Sequence, residues 1–192
     1  VGVIKNSNKM KKISLFLGAA LMTLVMASCG SEKAVTSNLP CPDCQATPEV
    51  FKYLGQHVAS SDRQMQQARS MAANTARKEL AAMIEATIKR VIDDYTSEYI
   101  DGENSEFKQR LQDISRTVVQ QKVNGTPPTC EGTMPGSTPG NTICFACVEL
   151  TGKSILDDIA AQVSKISDDD KLRTDFEYEK FKKVLEEEMS KL

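Results

Sequence analysis

Six cysteines carry most of the chemistry open to this chain, and their spacing sorts them into three groups. Cys29 stands alone near the start. Cys41-Pro42-Asp43-Cys44 is a C-x-x-C pair with a proline inside, the spacing of thiol oxidoreductases. Cys130, Cys144 and Cys147 form the third group, in which Cys144-Phe145-Ala146-Cys147 repeats the C-x-x-C spacing. An active redox pair sits at a helix N-terminus, where the dipole lowers one thiol's pKa. Cys41 and Cys44 lie instead in a polar run, with Pro48 close behind and no helix opening at Cys44. A redox couple and a structural disulfide are both open for this pair, and the context suits the disulfide better. Two C-x-x-C pairs also raise a tetrathiolate zinc site. Cys144 to Cys147 reads as part of a strand, however, and strand residues three apart point to opposite faces. A regular strand cannot offer both sulfurs to one metal or join them in one disulfide, so no metal site is assigned.

The remaining reactive types give less. His57 is the only histidine. It could in principle pair with a cysteine, but a lone histidine in a strand reads as structural or exposed. Asp168-Asp169-Asp170 lacks the glycine turn and distal bidentate glutamate of a calcium loop, and reads as a charge cluster opening a helix. Met65, Met71 and Met83 read as helix packing. No G-x-S-x-G, H-E-x-x-H or glycine-rich phosphate loop is present. Catalytic residues and cofactors are therefore expected to be none, and the protein is read as not an enzyme.

Cys29 acquires its meaning from what precedes it. Met10-Lys11-Lys12 gives a positive start, Ile13 to Val25 is apolar and uncharged, and Met26-Ala27-Ser28-Cys29-Gly30 ends on small residues and a cysteine. That is the pattern of a bacterial lipoprotein signal, in which the thiol of the +1 cysteine receives diacylglycerol. The apolar run is short for a membrane span and no basic stop-transfer cluster follows it. Residues 1–28 are therefore read as upstream residues (Val1 to Lys9) and a signal peptide, and Cys29 as the lipidation site. Gly30 is not the aspartate associated with inner-membrane retention, so the outer membrane is the expected address, with the face left open. Export would expose Cys41, Cys44, Cys130, Cys144 and Cys147 to an oxidising space, where disulfides are the default. Five is odd, so one thiol stays free or pairs with another chain.

Composition narrows the class. Net charge is −2, tryptophan is absent and aromatics make up 5%. Without a basic patch nucleic acid is not an expected partner. Without tryptophan a sugar-stacking platform is not expected either. The abundance of alanine, methionine and charged residues suits helices.

The elements that must position these residues follow from periodicity. Residues 29–49 read as a lipidated flexible tether, because Ser, Thr, Asn and Pro dominate it without an apolar period. Residues 50–192 read as one domain. Phe51 to Ala59 alternates in part and predicts a strand. Ser60, Ser61 and Asp62 offer caps for a helix from Asp62 to about Tyr99. In it Ala68, Ala72, Ala76, Leu80, Met83, Thr87, Val91 and Tyr95 share a face, and its alanine half lets it approach a sheet closely. Asp101, Gly102 and Asn104 end it. A shorter helix is expected over Glu106 to Ser115, then a strand over Thr117 to Lys122 and Val123. Glu131 to Asn141 is expected to be a loop, and Thr142 to Leu150 a buried strand that forms a hairpin with the preceding one. A Cys130–Cys144 bridge would staple that hairpin. Thr151 and Ser154 cap a helix to about Ile166, and Asp168 to Asp170 starts a last charged helix carrying Leu172, Phe176, Phe181, Val184, Leu185 and Met189.

Four stretches carry a resemblance. Leu54-Gly55-Gln56-His57-Val58-Ala59-Ser60-Ser61 is a glycine-containing strand, and Ala68 to Ala81 reads A-R-x-x-A-x-x-x-A-R-x-E-L-A. Ser115-Arg116-Thr117-Val118-Val119 and Cys144 to Leu150 stand where later strands are expected. Over Val50 to Ile166 the chain resembles the twenty-kilodalton membrane-associated lipoprotein family first described from Helicobacter. The proline-rich stretch Thr126 to Gly140 and the cysteines depart from its pattern. The resemblance implies an α+β fold, a small antiparallel sheet packed on the long alanine-rich helix with further C-terminal helices. It implies an envelope lipoprotein and brings no catalytic residues. The expected partners are the membrane, through acyl chains on Cys29, and another envelope protein or a second copy.

Overall fold

A computed structural model describes residues 40–100, 105–168 and 170–192. The signal segment, Cys29 and the helix terminators Asp101, Gly102 and Asn104 lie outside the described residues. The fold is α+β. Strands β1 (Val50–Ala59), β2 (Cys130–Pro135) and β3 (Thr142–Thr151) form one antiparallel sheet in the order β1-β3-β2. Helices α1 (Met65–Tyr99) and α2 (Ser105–Gly125) come between β1 and β2, and α3 (Gly152–Val163), α4 (Lys171–Asp175) and α5 (Tyr178–Met189) follow β3.

One face of the sheet packs on α1. Phe51, Gly55 and Ala59 of β1 and Cys144, Ala146 and Val148 of β3 are buried there, at alternate positions as a pleated strand requires. Ala68, Ala72 and Ala76 bring the helix backbone onto the strands. At Gly55 the approach leaves no room for a side chain: a Cβ would lie 2.1 Å from the Ala72 carbonyl oxygen and 2.4 Å from the Ala76 nitrogen. The expectation of an alanine-lined contact between helix and sheet holds.

Beyond Ala76 the stripe on α1 changes to Leu80, Ile84, Ile88, Val91, Ile92 and Tyr95, which join α2, α3 and α5 in the main core. The change suits what each half must fill. Alanine lets backbones touch at the sheet, and larger residues span the distance between helices. Tyr95 sits at the centre of an aromatic group, with ring centroids 5.6 Å from Tyr99, 6.3 Å from Phe107 and Phe176, and 5.4 Å from Phe181. Its hydroxyl donates to the Asp175 carbonyl and accepts from the Glu177 amide, both at 2.9 Å. That bridge holds Phe176 in extended conformation between α4 and α5. The expected single C-terminal helix is thus two, with Asp170 capping α4 by accepting from the Leu172 amide.

Two further expectations are corrected. The strand read over Thr117 to Val123 is helical, and belongs to one uninterrupted α2. Phe107, Leu111, Ser115, Val118, Val119 and Val123 make its buried face, so a stripe repeating every three to four residues overrides the valines' preference for strands. The region read as a loop from Glu131 opens as β2, the true hairpin partner of β3, and the turn begins only at Gly136, whose amide donates to the Asn141 carbonyl.

Candidate functional site

Four cysteines meet on the sheet face that α1 does not cover. Register places Cys130 of β2 directly across from Cys147 of β3. Residues 40–49 arrive over this face before β1 begins, and Cys41 and Cys44 close on the two strands. Cys41 is bonded to Cys130 and Cys44 to Cys147, with Cα–Cα distances of 5.7 and 5.9 Å. The Cys44 amide donates to the Cys41 carbonyl at 3.2 Å, a turn that presents both sulfurs to neighbouring strands. The turn requires a positive φ of 66° at Cys41, a conformation side chains other than glycine seldom adopt. Pro40 lies on Gly132, where a Cβ would come within 2.3 Å of the proline ring. The Lys52 ammonium donates to the Asp43 carbonyl at 3.3 Å and pairs with Glu149 at 3.2 Å.

This arrangement corrects the expected Cys130–Cys144 bridge. Cys144 faces Thr133 in the β2 register and points to the other side of the sheet from Cys130. The argument that Cys144 and Cys147 point apart holds, and it assigns them different fates. Cys147 is bridged, while Cys144 is a free thiol buried against Ala59, Ala68 and Ala72, donating to the Met65 sulfur at 3.5 Å. The Cys41–Cys44 pair is corrected as well, since its two sulfurs bond to different strands and not to each other. The part of the presumed tether from Cys41 to Cys44 is fastened to the domain. What the spacing did not reveal was β2. With Cys130 in a strand beside Cys147, two cysteines on one turn match two on adjacent strands.

The other candidates take structural places. His57 is exposed and stands opposite Cys144 in the register, but the thiol is wholly buried. Met65 packs against the small cluster around Cys144, and Met83 against the main core. Met71 is 41% exposed, outside either. Three carboxylates are held below their usual range by hydrogen-bonded cations nearby. Lys191 and then Arg90 do so for Glu188 on α5, Arg110 of α2 for Asp170, and Lys153 with the Tyr178 hydroxyl for Asp157. A groove of about 300 Å³ between α1 and α2 is lined by Ala82, Ala86, Gln112 and Ser115, and one of about 420 Å³ lies between the start of β1, α3 and α5. Among the described residues no helix is long and apolar enough to cross a membrane, and no group of three or more His, Cys, Asp or Glu side chains is arranged to hold a metal. No known protein family, curated protein or solved structure matches the chain.

Proposed function

We propose that this protein is a non-enzymatic lipoprotein of the bacterial outer membrane, anchored by acyl chains on Cys29, with a structural or protein-binding role in the envelope. The observation that carries the reading is the run from Met10 to Gly30, a positive start, an apolar stretch and small residues before a cysteine. Two disulfides support it, because such bonds persist in exported proteins and are rare where glutathione keeps thiols reduced. A single acyl chain anchors only marginally, and the two or three chains of a mature lipoprotein would hold stably. The small α+β domain and its alanine-rich helix suit membership of the lipoprotein family first described from Helicobacter. The separate pairing of Cys41 and Cys44 weighs against a thiol–disulfide enzyme, whose dithiol cycles through a bond within the motif.

Intact mass of the protein from native membranes tests the reading. The expected mass corresponds to cleavage before Cys29 plus acyl chains, and a Cys29→Ala variant leaves the membrane fraction. An unacylated protein with residues 10–28 still attached would overturn it.

A further inference from the structure

The two disulfides hold little of the domain's core and nearly all of the segment that leads into it. Both core clusters form without Cys41, Cys44, Cys130 or Cys147. From Pro40 to Ala46, by contrast, the described backbone contacts are the Cys41–Cys44 turn, a Gln45 amide to Asp43 carbonyl bond and the Lys52 ammonium on Asp43. Regular contact with the fold resumes at Thr47, which exchanges backbone hydrogen bonds with Val50. Each bridge has one well-buried and one more open sulfur-bearing residue. Cys41 and Cys147 are 8% and 3% exposed, whereas Cys44 and Cys130 are half-buried. An incoming thiolate therefore meets the more open residue of each bond first, and the buried partner is the leaving group. The left-handed backbone at Cys41 is a conformation that persists only while its surroundings hold it.

We propose that Cys41–Cys130 and Cys44–Cys147 form a reducible clasp, the substrate of a dithiol oxidoreductase, whose opening frees residues 40–46 from the sheet while the domain stays folded. In each exchange the reductant's thiolate bonds to the sulfur of Cys44 or Cys130, and Cys147 or Cys41 leaves as a thiolate. The second reductant thiol, as thiolate, then attacks the reductant sulfur of the mixed disulfide, and Cys44 or Cys130 leaves as a thiolate. Two electrons and two protons pass to the protein for each bridge, and the reductant ends as a disulfide. Either bridge alone still fastens the segment, so full release needs both. On the reading that Cys29 carries the anchor, release moves the attachment point from Cys41 to Thr47. Six more residues then belong to the tether, adding at most roughly 20 Å of reach.

The test is limited proteolysis of the full mature protein with subtilisin, oxidised and after dithiothreitol treatment followed by alkylation, with fragments read by mass. Extended, unpinned segments are the ones proteases cut. The clasp predicts cleavage between residues 41 and 48 at least tenfold faster after reduction, with residues 50–192 left intact. A variant with Cys41, Cys44, Cys130 and Cys147 all changed to Ser should behave as the reduced protein does without any reductant. An unchanged rate after reduction would overturn the proposal, and so would digestion of the whole domain, which would mean that the domain does not stay folded once the bridges open. Acylation of Cys29 is read from the same spectra, so failure of the anchor and failure of the clasp are separate results.

Discussion

Gly55 shows how one missing side chain sets the fold's tightest contact. With the Ala72 carbonyl 2.1 Å from a would-be Cβ, Gly55→Ala must push α1 off the sheet or bend β1. We expect a loss of about 2–3 kcal/mol, the scale of core overpacking, read from the urea midpoint. Tyr95 carries the opposite burden, a large side chain with a polar end that must be satisfied. Tyr95→Phe leaves the Asp175 carbonyl and the Glu177 amide without their shared partner, a cost of about 1–3 kcal/mol in the same measurement. Burial first of all raises the pKa of this phenol. Its contribution to stability is therefore full below the ordinary tyrosine pKa and is lost as pH rises through the folded value. Glu188 works in the other sense. Lys191 foremost, and Arg90 at 2.9 Å, hold its carboxyl low, so its contribution is present above the ordinary glutamate pKa and lost as pH falls through the folded one. Thermal melts across the acid range should show that fall, and Glu188→Gln should flatten it.

At the scale of elements, what was legible in the sequence depended on whether a local pattern or a distant partner decided the outcome. The α1 stripe could be read because each of its positions is set by a neighbour three or four residues away. The strand β1 and the Thr151 cap of α3, which accepts from the Ser154 amide at 3.2 Å, were readable for the same reason. Val118, Val119 and Val123 misled because β-branched residues favour strands in isolation, and only the helices packed on α2 decide between the two. The element β2 was hidden by its composition. Gly132 and Pro135 read as loop residues, yet Pro135 ends an edge strand and Gly132 makes room for Pro40. Missing β2 meant missing the partners of Cys41 and Cys44. Among the described cysteines, Cys144 alone should react with an alkylating reagent in unreduced protein, and only after denaturation exposes it. Rapid labelling in the native state, or a count other than one after denaturation, would contradict the pairing.

For the whole molecule, the bridges close loops with sequence separations of 89 and 103 residues, long enough to restrict the unfolded chain strongly. In the chain-entropy picture a loop of that length stabilises by about 4–5 kcal/mol, although the second bridge adds much less because it closes nearly the same loop. Reduced protein should therefore unfold at lower urea, in one cooperative transition and with its helical circular dichroism retained before it. The same two bonds also decide how the molecule bears a pull from its N-terminal side. Tension arriving along the chain at Cys41 passes through sulfur into β2 and β3 and bypasses the first strand in the sequence. The strand β1, which would otherwise be peeled from its edge, is spared, and the force enters through β2 at the opposite edge and through the central β3 instead. Reduction would reroute that force into β1, so the molecule's mechanical strength, as distinct from its equilibrium stability, should depend on the state of four sulfur atoms.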